Sequence, residues 1–127
     1  MDALTVLRQG PVVPVIIVND AAVAVDLARA LVDGGIKVLE VTLRTKAALA
    51  AMRRMRDEVP EAIVGAGTLR NRAQLEAAVD AGAQFGISPG FSAELASAAR
   101  ASQLTLIPGI ATPSEAMWAQ DEGFNTL

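Results

Sequence analysis

Two of the most chemically versatile side chains are missing from this sequence. Its 127 residues include no cysteine and no histidine. The absence of cysteine excludes disulfide bonds and a thiolate nucleophile. The absence of histidine excludes a Ser-His-Asp triad, a histidine general base and any metal site built on imidazole. Any acid–base chemistry must therefore use Asp, Glu, Lys or water.

Long apolar segments are also missing. No apolar run approaches the roughly 20 residues that a helix needs to cross a bilayer. The first ten residues carry Asp2 and Arg8 and lack the apolar core of a signal peptide. We therefore expect a cytoplasmic protein with no membrane partner.

Concentrated positive charge is scarce. The net charge is −3 and the isoelectric point is near 4.8. The densest basic segment contains Arg53, Arg54 and Arg56, but Asp57 and Glu58 follow it directly. This mixture of signs is more typical of a solvated helix face than of a nucleic-acid surface. We therefore expect no nucleic-acid partner.

The sequence does contain a repeating alternation of apolar runs and amphipathic segments within a single predicted domain, residues 1–127. Hydrophobic residues make up 52% and aromatic residues only 3% of the chain, so Ala, Val, Leu and Ile supply the apolar weight. Strands are predicted at 12–17, 38–42, 63–66, 84–88 and 104–107, each followed by a helix. This order predicts a parallel sheet with right-handed crossovers, either a doubly wound open sheet or part of a (β/α)₈ barrel.

Capping residues mark the predicted helices. The second helix is expected to begin near Thr45 and to stop before Pro60. Residues 124–127 are predicted to be the approach to a sixth strand, or its first residues. The other boundaries are predicted from Asp20 and Gly34-Gly35, from Asn71 paired with Gln74, from Ser92, and from a Thr112–Glu115 capping box with Pro113 and a final Gly123.

Glu40 is the most informative candidate residue. It lies inside an apolar strand, where alternation puts it on the face of Val38 and Thr42. An ionised carboxylate within a strand is costly unless it is paired, so Glu40 is either a functional residue with a tuned pKa or the partner of a neighbouring arginine. Arg44 follows the same strand and is either that partner, a surface residue or a ligand for a substrate carboxylate.

The other polar candidates also follow the carboxyl ends of predicted strands. Residues 65–68, Gly-Ala-Gly-Thr, end the third strand, and Pro89 follows the fourth. Small residues permit close approach of a ligand and Thr68 offers a hydroxyl, although each feature alone is as consistent with a tight turn. Ligands of barrels and open α/β sheets bind at these strand ends, so the shared position predicts a binding site there.

Five segments together resemble one enzyme family. The 2-keto-3-deoxy-6-phosphogluconate (KDPG) aldolases, also called 4-hydroxy-2-oxoglutarate aldolases, have similar segments in the same order. The resemblance covers nearly the whole chain. It implies a (β/α)₈ barrel, with the first five βα units and the start of the sixth strand present. The segments are Gly10–Ile16, Val38–Thr45, Val59–Thr68, Ile87–Gly90 and Leu106–Ile110.

The resemblance also implies an activity. Members of this family are class I aldolases that use no metal and no cofactor, and their lysine forms a Schiff base with the substrate ketone. The implied substrate is a sugar-acid phosphate, split into pyruvate and glyceraldehyde 3-phosphate, or a small oxo-acid such as 4-hydroxy-2-oxoglutarate. Glu40 would be the general acid and base, Arg44 and Thr68 would hold the pyruvyl carboxylate, and Pro89 would line the pocket. The family also implies a homotrimer.

One family feature is not found within the chain. By the family's spacing, the Schiff-base lysine would directly follow Leu127. Without that amine there is no covalent electron sink, and Glu40 alone cannot replace it. Two alternatives to a KDPG aldolase therefore stay open: a catalytically inactive half-barrel, and a related aldolase for 2-keto-3-deoxy-6-phosphogalactonate.

Overall fold

A computed structural model describes residues 1–127 as one parallel sheet with helices packed against it. The five strands lie in the order β1-β2-β3-β4-β5, and every neighbouring pair is parallel. The strands are β1 Val15–Ile16, β2 Val38–Thr42, β3 Ile63–Gly67, β4 Phe85–Ser88 and β5 Thr105–Pro108. The helices are α1 Ala3–Leu7, α2 Ala24–Asp33, α3 Ala48–Glu58, α4 Arg72–Asp80, α5 Ala93–Ser102 and α6 Pro113–Asp121, with a 3₁₀ helix at Ala21–Val23. No helix has the length and apolar character needed to cross a membrane.

The predicted α/β fold with five parallel strands is confirmed, but its two ends differ from prediction. β1 contains only two residues, Val15 and Ile16, which pair with β2. Pro14, directly before them, has no N–H to donate to the ladder, which limits the strand on that side. Helix α1 was not predicted. Asp2 caps it, and Val6 packs against Val38 and Phe85.

No sixth strand is present within residues 124–127. The Phe124 N–H donates to the Ala119 carbonyl at 2.9 Å, so this residue still belongs to the end of α6. Its ring packs against Phe91, with the ring centroids 5.7 Å apart. These positions form no strand, so the alternative that they are the first residues of a sixth strand is wrong, whereas the alternative that they approach one stays a prediction.

Most predicted helix boundaries are found, with three differences. The Asp20 carboxylate caps the 3₁₀ helix rather than α2 itself. The Gln74 side chain accepts from the Arg70 N–H rather than from Asn71, so that pair is not reciprocal. Helix α3 begins at Ala48 rather than near Thr45, whose hydroxyl donates to the Val18 carbonyl. The Thr112–Glu115 capping box is complete, with Pro113 in the first turn.

The sheet has two faces with different surroundings. One, which we call the helix face, buries Leu39 and Val41 in a cluster of 24 apolar residues contributed by strands and helices. The other, which we call the open face, carries Val38, Glu40 and Thr42, as strand alternation predicted. Its own apolar cluster is only Val6, Val38 and Phe85. The candidate residue Glu40 therefore lies on the face opposite helices α2 to α5, where α1 packs through Val6.

Candidate functional site

The carboxyl ends of the strands form one edge, which continues into the loops that follow them. The Leu43 N–H donates to the Gly67 carbonyl at 2.9 Å, just past the end of β2. The Leu69 N–H donates to the Ile87 carbonyl at 3.1 Å, just past β3. The first bond holds the start of the β2–α3 loop against the end of β3, and the second holds the β3–α4 loop against β4. The loop residues Arg44 and Thr68 are close neighbours for this reason.

Glu40 is nearly buried yet has no partner in the protein. It is 7% exposed, and its carboxylate forms no hydrogen bond and no ion pair within 4.0 Å. Burial raises the pKa of this carboxyl group, and the positive charge of Arg44 offsets part of that rise. A carboxyl group that is free of partners and has a raised pKa is suited both to take and to return a proton. The alternative that Glu40 is held in an arginine ion pair is therefore wrong for this structure.

Strand β3 has no side chains at two positions of the open face, and its neighbours fill that space. A Cβ built on Gly65 would lie 2.3 Å from the ring of Phe85. A Cβ built on Gly67 would lie 1.9 Å from Oε1 of Glu40. Glu40 pairs with Gly65 in the ladder, so its side chain reaches diagonally along β3 to lie over Gly67. The carboxylate thus points towards the carboxyl edge of the sheet.

Arg44 and Thr68 meet at that edge. The Arg44 Nε donates to the Thr68 Oγ1 at 3.4 Å, and both residues follow strand ends. Thr68 has φ of 63°, a left-handed conformation that is unfavourable for a β-branched residue and costs about 1–3 kcal/mol. Backbone strain of this kind is concentrated at binding and catalytic sites. A guanidinium group and a hydroxyl side by side form a suitable site for a carboxylate.

Two threonines missed by the sequence analysis anchor the β1 end of the site. The buried Thr42 hydroxyl donates to the Ile16 carbonyl at 3.0 Å, and the Thr45 hydroxyl donates to that of Val18. These bonds fix the loop after β1 to β2, where the ladder is only two residues long. The sequence signal for Thr42 was its position two residues after Glu40 on the same face.

Pro89 lies at the same edge of the sheet, directly after the end of β4. It is exposed and follows Ser88, whose buried hydroxyl donates to the Gly90 carbonyl at 2.8 Å. A depression of about 230 Å³ adjoins it, lined by Leu69, Phe91 and four other residues besides Pro89. The predicted contact of Pro89 with a substrate stays a prediction.

Neither lysine of the chain lies on the open face near Glu40. Lys37 is exposed and precedes β2, at the opposite end of the strand from Arg44. Lys46 is exposed and lines a groove between α3 and α4 together with Leu49 and Ala77. Both are therefore surface residues. Neither Lys37 nor Lys46 supplies a primary amine to the site around Glu40.

The chain is similar in sequence to characterised aldolases. The KHG/KDPG aldolase of Escherichia coli (strain K12) is 54% identical over 121 residues, which are 95% of this chain and 57% of that protein. The chain therefore spans little more than half the length of the relatives that it matches. The segment that is matched includes all of the strands and all of the candidate residues.

Solved structures agree with this similarity. The KDPG aldolase of Zymomonas mobilis ZM4, crystallised with 3-phosphoglycerate, superposes with a TM-score of 0.91 and 45% identity, covering 95% of this chain and 57% of that one. The KDPG aldolase of Legionella pneumophila, with pyruvate captured as a covalent carbinolamine, gives a TM-score of 0.91 and 44% identity over 94% of this chain and 58% of that one. The family model for KDPG and KHG aldolases matches residues 4–127. The chain belongs to the KDPG and KHG aldolase family.

Proposed function

We propose that the protein is a class I aldolase that cleaves KDPG to pyruvate and glyceraldehyde 3-phosphate, and also cleaves 4-hydroxy-2-oxoglutarate to pyruvate and glyoxylate. The observation that carries this proposal is the unpartnered, nearly buried Glu40 carboxylate beside the Arg44–Thr68 pair. Family membership supplies the reaction class. The chain covers 57% of the length of its Escherichia coli relative, so the activity is proposed for the whole protein.

The architecture that we propose is a (β/α)₈ barrel, of which this chain forms the first five βα units. Two observations support it. The strands follow one another in chain order, all parallel, with helices α2 to α5 on one side. The open face carries Val15 and Ile17, which are 60% and 52% exposed and would face the interior of a closed barrel.

In the proposed reaction, an amine attacks the C2 ketone of the substrate to form a carbinolamine, which loses water to become a protonated imine. The bond between C3 and C4 then breaks, and its electron pair moves towards the imine nitrogen. Glu40 takes the proton of the C4 hydroxyl, so that this carbon leaves as an aldehyde. The same carboxyl group returns a proton to C3, and hydrolysis of the imine releases pyruvate.

The amine is proposed to come from a lysine outside residues 1–127. Lys37 and Lys46 are both exposed and lie away from Glu40. The covalent carbinolamine described for the Legionella pneumophila aldolase supports amine chemistry in a related protein. A raised pKa at Glu40 suits this role, because the carboxyl group must be protonated when carbinolamine loses water and ionised when C3–C4 cleavage begins.

The remaining residues are proposed to bind the substrate. The Arg44 guanidinium and the Thr68 hydroxyl would hold the carboxylate next to the ketone, and their hydrogen bond keeps the two groups side by side. Pro89 would line the wall of the pocket at the end of β4. A homotrimer in the cytoplasm remains our expectation from the family.

The proposal is tested by measuring pyruvate release from KDPG by the protein and by its Glu40→Gln variant. We expect the variant to lose about 100- to 10,000-fold in kcat, because the amide cannot exchange a proton. Glu61→Gln is the matched control, because Glu61 is exposed and forms no ion pair. Equal rates for the Glu40→Gln variant and the control would exclude Glu40 as the general acid and base.

Two further outcomes separate the alternatives. The same assay with 2-keto-3-deoxy-6-phosphogalactonate distinguishes the two sugar acids, and a higher kcat/KM for that substrate would favour the galactonate enzyme. Treatment with pyruvate and borohydride, followed by intact mass measurement, detects a trapped imine. A protein that releases no pyruvate and gains no reduced pyruvyl group is the inactive half-barrel.

A further inference from the structure

The space above β3 on the open face is occupied by side chains from the two neighbouring strands. Phe85 of β4 lies over Gly65, and Glu40 of β2 lies over Gly67. The three heavy atoms nearest to a Cβ at position 67 all belong to Glu40: Oε1 at 1.9 Å, Cδ at 2.6 Å and Cγ at 2.7 Å. The Glu40 side chain thus occupies the volume that any side chain at position 67 would need.

We propose that Gly67 is a positioning residue, whose missing side chain lets the Glu40 carboxylate lie over β3 and point at the carboxyl edge of the sheet. Gly67 has no positive φ, so its backbone conformation is open to other residues. The requirement for glycine is therefore one of space. The catalytic consequence rests on the function proposed above, whereas the position of Glu40 can be measured without any turnover.

The two glycines of β3 should respond differently to a methyl group. The ring of Phe85 is fully buried, so an alanine at position 65 meets a neighbour that cannot move away. Glu40 ends in a flexible carboxylate next to the more open edge of the site. An alanine at position 67 is therefore relieved by rotation of Glu40, and the chain folds with its carboxylate displaced.

The charged surroundings of Glu40 are simple enough for its titration to report this displacement. Arg44, on the loop after the same strand, is the charged group that acts on it. The adjacent strands β1 and β3 contain no titratable residue. A carboxylate displaced towards solvent loses part of its desolvation, so its pKa falls towards the ordinary glutamate value.

The test compares Gly67→Ala, Glu40→Asp, the double variant, and Gly10→Ala as a control whose Cβ meets no atom within 4 Å. Carbon-13 NMR of labelled carboxyl groups gives the pKa of residue 40, and pyruvate release gives kcat and KM. We expect Gly67→Ala to fold, to lower the Glu40 pKa, and to reduce kcat by about 100-fold with little change in KM. The shorter side chain introduced by Glu40→Asp leaves room for the alanine. The reduction of kcat caused by Gly67→Ala should therefore be smaller when Glu40→Asp is also present.

Each outcome decides the proposal. The proposal is overturned if the Glu40 pKa is unchanged in Gly67→Ala. It is also overturned if the loss of kcat in the double variant is the product of the losses in the two single variants. If Gly67→Ala does not fold, recovery of folding by the added Glu40→Asp change supports the shared space, and its failure to recover contradicts it. If even the unaltered protein releases no pyruvate, the aldolase function is wrong, while the pKa comparison still decides the role of Gly67.

Discussion

The two faces of the sheet are covered to very different extents by the chain itself. On the helix face, Leu39 and Val41 are 0% exposed. On the open face, Val15 of β1 and Ile17, which follows that strand, are 60% and 52% exposed. The helix face therefore has the larger apolar cluster, and the buried polar side chains Glu40 and Thr42 lie on the open face.

This difference explains why the candidate site is on the open face. A carboxylate on the helix face would be enclosed by 24 apolar residues with no access to water or a partner. On the open face Glu40 lies over a glycine and close to the carboxyl edge, so it is desolvated enough to raise its pKa but is still accessible to a ligand. The comparison predicts that substitutions on the two faces have different kinds of effect.

The largest stability effect is expected from Leu39→Ala on the helix face. Removing a fully buried leucine leaves a cavity among α2, α3 and the sheet, and typically costs about 2–5 kcal/mol. Urea unfolding monitored by circular dichroism measures the change. Val15→Ala is the matched control on the open face, with an expected change within about 0.5 kcal/mol. Similar losses for both variants would show that the open face is as well packed as the helix face.

A smaller loss of stability is expected from Gly65→Ala, at a tightly packed part of the open face. The added methyl group would overlap the buried ring of Phe85, which packs against Val6 and Val38. Overpacking of this kind costs about 1–3 kcal/mol. Urea unfolding measures the loss, and NMR should show an unchanged Glu40 pKa. A variant as stable as the unaltered protein would mean that Phe85 has room to move.

The sequence predicted the parts of this structure that follow from local pattern. Period-two alternation placed Glu40 and Thr42 on one face, and the rule for parallel strands brought Arg44 and Thr68 to one edge. Both expectations are confirmed by the sheet register and by the hydrogen bond between the two loop residues. Capping signals were equally local, and four of the predicted N-cap side chains do cap a helix.

Features that depend on contacts between distant segments were not predictable in this way. Helix α1 is only five residues long, and it is held in place because Val6 reaches Val38 and Phe85. The left-handed Thr68 is likewise not signalled by its residue type, since threonine disfavours positive φ. The placement of Glu40 over Gly67 requires the β2–β3 register, which the sequence alone does not give.

The smallest effect that we expect is on stability, and it has the opposite sign from the others. Because burial raises the Glu40 pKa, the folded chain binds its proton more tightly than the unfolded chain does. The charged carboxylate therefore lowers the free energy of unfolding as the pH rises from the ordinary glutamate pKa of 4.5 through the raised pKa, and this cost is absent at lower pH.

Glu40→Gln removes the charge. The free energy of unfolding of this variant, relative to that of the unaltered protein, should therefore increase over that pH range and level off above it. Urea unfolding from pH 4 to pH 8 measures the difference, with Glu61→Gln as the control for an exposed glutamate. A difference that does not change with pH would mean that Glu40 titrates like a solvated side chain, and that the open face does not desolvate its own carboxylate.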